Sequence, residues 1–127
     1  MLQNKKRIYW IIAGLVNLFT AFLHAIGGQI SLVNPLSQSG LTDQEKAEWF
    51  GCWHMITIIL FATSFLILKN GIKKIAVGQI EIIKIGYLYI AFSVSFIVAS
   101  STYQLLAPQF ILLLPIGLLI LLGNKEN

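Results

Sequence analysis

Residues 8–42 read IYWIIAGLVNLFTAFLHAIGGQISLVNPLSQSGLT, 35 positions without a charged side chain. Two further uncharged runs follow, Trp49 to Leu68 and Ile85 to Asn124, of 20 and 40 residues. A hydrocarbon core of ~30 Å takes about 20 apolar residues of helix, so the three runs hold enough chain for about four crossings. The sequence therefore predicts an all-α integral membrane protein, a four-transmembrane-helix bundle. With 127 residues, 57% of them hydrophobic and 11% charged, residues 1–127 form a single membrane domain with no room for a separate soluble one.

The charges sit between the runs and set an orientation. Lys5, Lys6 and Arg7 precede the first run, Lys69, Lys73, Lys74 and Lys84 separate the second from the third, and Lys125 follows the last. Only Lys46, beside Asp43, Glu45 and Glu48, lies between the first and second. Eight of nine basic residues thus fall on one side, which predicts a multi-pass protein of the cell membrane with both termini cytoplasmic. The net charge of +4 is spread along span ends rather than gathered on a face with interleaved aromatics, so no nucleic-acid partner is expected. The first apolar stretch is too long for a ~7–15 residue signal core and lacks an A-x-A site, so it reads as an uncleaved helix. The single Cys52 forms no internal disulfide and no C-x-x-C pair.

Punctuation within the runs gives helices at about 8–31, 43–68, 75–104 and 108–123. Asn34-Pro35 should end the first, since proline lacks the donor a helix needs and restricts its predecessor. Thr42, Asp43, Gln44 and Glu45 form a T-x-x-E capping box that opens the second. Trp49 and Trp53, one turn apart, read as outer-headgroup anchors, and Tyr9 and Trp10 as inner ones. On a helical wheel Lys73, Lys74, Glu81 and Lys84 share a solvated face before the third helix. Ala107-Pro108-Gln109 marks the last turn, or the turn begins earlier, around Thr102 to Gln104. The final helix is short, about 22 Å, and contains Pro115, so it thins the bilayer locally or is partly re-entrant.

Helices in lipid associate through small and polar residues. In the first helix Gly14, Asn17, Thr20, Ala21, His24, Gly27, Gly28 and Ser31 recur at helical spacing. The second offers Gly51, His54, Thr57 and Ser64, and the third Gly86, Ser93, Ser100, Ser101 and Gln104. His24 and His54 are the principal ionisable groups inside the apolar runs, at depths that allow them to meet. An intramembrane imidazole can carry a proton, hold a ligand or metal, or bond a neighbouring hydroxyl. The sequence thus points to a pocket opening toward the outer face between the first three helices, with His24, His54, Asn17, Gly28, Thr57, Ser100 and Gln104 as candidate ligand-binding residues. The leading reading is binding of a small apolar or amphiphilic molecule, such as a lipid or quinone. A second is a membrane enzyme using His24 or His54 as general acid or base on a lipid-like substrate. A third is a structural or accessory subunit, its stripes holding a homo-oligomer or a membrane partner subunit.

Haem is the sharpest version of the first reading. Two imidazoles from different helices, His24 and His54, would be its axial ligands, with Gly27 and Gly28 leaving space for the flat macrocycle. Such pairing resembles membrane b-type cytochromes, and it implies a haem as cofactor with those two histidines as its metal ligands. Other chemistries lack parts. A closed zinc or copper site needs more donors than the histidines and Cys52 provide. No Asp or Glu lies in the runs to couple protons as in the small multidrug transporters. Ser100 or Ser101 beside a histidine has no nucleophile elbow or orienting acid, and no phosphate-binding or dinucleotide fingerprint occurs.

Overall fold

A computed structural model describes residues 2–72 and 78–125. It is all-helical. The first helix, α1, begins at Leu2, runs as an ordinary α-helix to Phe22, passes through two π turns at Leu23–Gly27 and Gln29–Val33, and closes with an α turn at Asn34–Ser37. Helices α2 (Asp43–Ile72), α3 (Gln79–Tyr103) and α4 (Phe110–Lys125) follow. Three helical segments, Arg7–Ser37, Asp43–Ile72 and Gln79–Tyr103, are long and apolar enough to cross a membrane. The fourth, of 16 residues and about 24 Å, is shorter than a usual span.

The first expected boundary is corrected by the π turns. There the backbone bonds reach five residues back, from the Gly28 amide to the Leu23 carbonyl and from the Asn34 amide to the Gln29 carbonyl. The chain then starts a fresh α turn with Pro35 in its opening positions, where the missing donor would have had no partner anyway. The helix consequently passes the proline instead of ending before it. The capping box forms as the sequence predicts: the Thr42 amide and hydroxyl both donate to Glu45 Oε2, at 2.8 and 2.7 Å, and the Glu45 amide returns to Thr42 Oγ1 at 3.3 Å. At the other end of α2, the Arg7 guanidinium donates to the last carbonyls, Gly71 at 3.1 Å and Ile72 at 2.7 Å. A cation there also opposes the negative end of the helix dipole.

The third helix starts at Gln79, after Gly78 in the left-handed region (φ 83°), and not at about 75; residues 73–77, including Lys73 and Lys74 of the expected basic face, lie outside the described residues. It ends at Gln104, itself left-handed (φ 52°), whose amide bonds the Ser100 carbonyl. The turn therefore falls at the earlier of the two expected positions. Helix α4 then begins at Phe110, with the Ile111 amide on the Pro108 carbonyl and the Leu112 and Leu113 amides on the Gln109 carbonyl.

Helix α1 packs along α2 and α4, and α3 packs along α4, while α2 and α3 barely touch. Missing side chains permit the closest approaches. A Cβ at Gly71 would press on Ile11, at 3.0 Å from its backbone nitrogen, and one at Gly117 would sit 2.8 Å from the Gly86 carbonyl oxygen. Arg7 at the end of α2, Trp10 Nε1 donating to the Ile120 carbonyl (3.1 Å), and Gln79 Nε2 donating to Asn124 Oδ1 (2.6 Å) bring the start of α1, the end of α2, the start of α3 and the end of α4 to one end of the bundle. Trp10 is 1% exposed, so it is a core residue and not the interfacial anchor expected of it. Its apolar ring fills the α1–α4 seam while its single donor is satisfied.

Midway along the bundle, Asn17 is completely buried. Its Nδ2 donates to Thr63 Oγ1 (3.0 Å), Thr63 Oγ1 and the Tyr89 hydroxyl lie 2.7 Å apart, and the Tyr89 hydroxyl donates to Asn17 Oδ1 (2.8 Å). The three contacts close a triangle joining α1, α2 and α3, in which the Ile59 carbonyl, 2.7 Å from Thr63 Oγ1, competes with the Tyr89 hydroxyl for the single Thr63 proton. Every ring member is satisfied, which makes the group tolerable in an interior without water.

Candidate functional site

Above that ring, at the end of the bundle away from Arg7, the four helices part around a cavity of about 470 Å³. Helix α1 contributes Thr20, His24, Gly28 and Ser31; α2 contributes Trp49, Cys52, Trp53, Ile56 and Leu60; α3 contributes Phe92, Ser95 and Phe96. Gln109 and α4, through Leu112 and Leu113, close the remaining side. The wall is mostly apolar with a few polar groups, the usual make-up of a small-molecule site. The fourth helix thus takes part in a cavity that the sequence assigned to the first three.

Three residues build its polar corner. The His24 ring lies face to face with the Trp53 indole, centroids 3.9 Å apart and planes within 12°. His24 Nδ1 is 3.0 Å from Thr57 Oγ1, and that hydroxyl donates to the Trp53 carbonyl one turn back at 3.1 Å. Gly28 explains why the indole fits: a Cβ there would overlap Trp53 Cζ2 and sit 2.8 Å from Cη2. Of the Gly27-Gly28 pair, Gly28 alone admits a flat ring system, and that ring is the protein's own tryptophan; a Cβ at Gly27 would meet nothing within 4 Å.

The seven sequence candidates separate on this geometry. His24 and Gly28 line the cavity; Thr57 holds His24 without lining it. His54, outside the lining, packs edge-on against Phe50 at 4.2 Å. Neighbouring positions on a helix differ by about 100° in direction, and on α2 it is Trp53, one residue earlier, that turns toward α1. Asn17 belongs to the buried ring. Ser100 Oγ accepts from the Ala107 amide at 3.0 Å and stabilises the α3–α4 turn, and Gln104 Nε2 donates to the Ser101 carbonyl at 2.7 Å. Sequence reasoning missed Trp53 and Gln109. Trp53 was legible only as an interfacial aromatic, a reading that suits its neighbour Trp49, which is 58% exposed.

The haem expectation does not fit this geometry. At ~30 Å³ for each water-sized group, the cavity accommodates roughly 15 non-hydrogen atoms, whereas a haem carries roughly 40. Only one of the two proposed axial imidazoles borders it. Among the described residues no three His, Cys, Asp or Glu side chains come together as a metal-ligand group.

Two polar atoms at the wall are short of partners. Trp53 Nε1, a donor, and Gln109 Oε1, an acceptor, are buried and make no hydrogen bond among the described residues. Leaving such a group unpaired costs about 1–3 kcal/mol, so buried orphans of this kind are uncommon. No protein-family model, curated protein or solved structure matches this chain.

Proposed function

We propose that this chain is a four-span protein of the cell membrane, both termini cytoplasmic, that binds one small apolar or amphiphilic molecule in the cavity at the outer end of its bundle. The observation that carries the reading is the cavity itself: about 470 Å³ bounded by all four helices and apolar but for a few polar groups. A bundle serving only to hold helices together gains its stability from continuous close packing, and an opening of this size forfeits that contact. Its size suits one acyl chain or a compact ring system and is far below that of a two-chain phospholipid. The charge bias and the gathering of Arg7, Lys69 and the end of α4 at the opposite pole support a cytoplasmic position for that pole.

The test is extraction in a lipid-retaining polymer followed by mass spectrometry of bound small molecules, in the wild type and in Leu112→Trp, which fills the cavity. One amphiphile enriched near equimolar ratio in the wild type and lost from a folded Leu112→Trp protein is the expected result. Bound molecules that mirror the bulk membrane in both proteins would overturn the reading.

A further inference from the structure

The hydrogen bonds around His24 select the head group of the cavity's ligand, given the binding role proposed above. A threonine hydroxyl has one proton and can accept on its oxygen. Thr57 spends that proton on the Trp53 carbonyl at 3.1 Å, a bond to the preceding turn that helical threonines commonly make. At 3.0 Å, His24 Nδ1 faces the lone pair that this leaves on the hydroxyl, so the tautomer that satisfies both bonds carries its proton on Nδ1 and keeps its lone pair on Nε2. That second nitrogen has no hydrogen-bond partner among the described residues, and it is not among the atoms sealed off from open space. His24 lines the cavity, and stacking on Trp53 limits rotation of its ring.

We infer that His24 Nε2 is the acceptor that recognises an uncharged single-chain alcohol: the ligand donates its hydroxyl proton to this nitrogen and lays its hydrocarbon chain along Ile56, Leu60, Phe96 and Leu113. Two observations narrow the class. No Lys, Arg, Asp or Glu lines the cavity, so a charged head group would be taken from water without compensation. The available space accommodates roughly 15 non-hydrogen atoms, close to a twelve- to fourteen-carbon alcohol. Thr57 is a positioning residue: it touches His24, and it acts on the ligand only by fixing which nitrogen carries the proton.

The probes are 11-bromo-1-undecanol and 1-bromoundecane, which share a chain and differ in the hydroxyl, added to the full chain in lipid nanodiscs. Bromine quenches tryptophan, and a Trp53→Phe protein supplies the background from the other two tryptophans. The wild type is expected to prefer the alcohol by about five-fold, the worth of one hydrogen bond. His24→Phe should erase the preference while still binding the bromoalkane, and Thr57→Val should reduce it. Nitrogen-15 spectra of histidine-labelled His54→Gln protein, which retains His24 alone, are expected to show the proton on Nδ1. A proton on Nε2, or equal binding of both probes to the wild type, overturns the recognition of the hydroxyl and leaves the binding cavity standing. Failure of both probes to bind the wild type sinks the binding role itself. Should His24→Phe fail to fold, the wild-type probe ratio and the nitrogen spectrum decide the matter without it.

Discussion

Breaking the Asn17–Thr63–Tyr89 ring at two adjacent points should cost less than the sum of the single breaks. Tyr89→Phe removes the hydroxyl from two of the three ring bonds, to Asn17 at 2.8 Å and Thr63 at 2.7 Å. Thr63→Val also removes two, one of them the same Thr63–Tyr89 bond. Interhelical hydrogen bonds in membranes average about 0.6 kcal/mol, so each single variant should lose about 1.2 kcal/mol and the double about 1.8 rather than 2.4. The coupling of about 0.6 kcal/mol is a lower figure, because each single change also strands a partner that the other change would relieve. Asn17 Nδ2 keeps a longer bond to the Leu60 carbonyl, 3.3 Å, in all three proteins, so the amide is never wholly unpaired. Reversible unfolding in mixed micelles, run on the four proteins of the cycle, measures the quantity directly. Additivity within about 0.3 kcal/mol would refute the coupling of the three side chains and reduce the group to independent pairs.

Other consequences can be checked one at a time. Gly28→Ala should force Trp53 off the His24 ring and destabilise the protein by about 1–3 kcal/mol, seen as a change in near-ultraviolet circular dichroism together with a lower unfolding midpoint. Gly117→Leu should separate α3 from α4 and cost at least as much, whereas an alanine at the exposed Gly51, where a Cβ meets nothing within 4 Å, should be neutral or slightly stabilising in the same assay. Arg7→Met should lower stability by about 1 kcal/mol by uncapping α2, and restoring a cation with lysine should recover only part, because the two-carbonyl fork is lost. For topology, a membrane-impermeant maleimide applied to intact cells should label Cys52 or a Ser39→Cys variant, and labelling of Ser39→Cys only after lysis would reverse the proposed orientation.

How far the chain could be read follows from what each signal depends on. The helical class follows from one-dimensional facts: where charges stop, how long the apolar runs are, and where Thr42 and Glu45 sit three positions apart. These set local hydrogen bonding and solvent preference, and they survive any arrangement of the helices. The inner half of the α1 stripe is equally legible, and Asn17 and Ala21 are indeed buried. Past Phe22 the regular period of 3.6 no longer holds, because the π turns rotate the helix. Gly27 and Ser31 nonetheless stay on the inner face that the pattern gives them, exposed to the cavity they line.

The site depended on rotation about helix axes, which composition does not encode. His24 and His54 stood out in the sequence because they can ionise, yet Trp53, about 100° around α2 from His54, is the residue that meets α1. Trp49 and Trp53 are indistinguishable as letters, and one is exposed while the other fills the space that Gly28 leaves. Sequence alone determined that this chain is helical, where its apolar stretches begin and end, and that its charges lie outside them. Only tertiary packing decided which ring stacks on His24, which hydroxyl meets its Nδ1, and that α4 closes the cavity, because each depends on the mutual rotation and spacing of helices far apart in the chain.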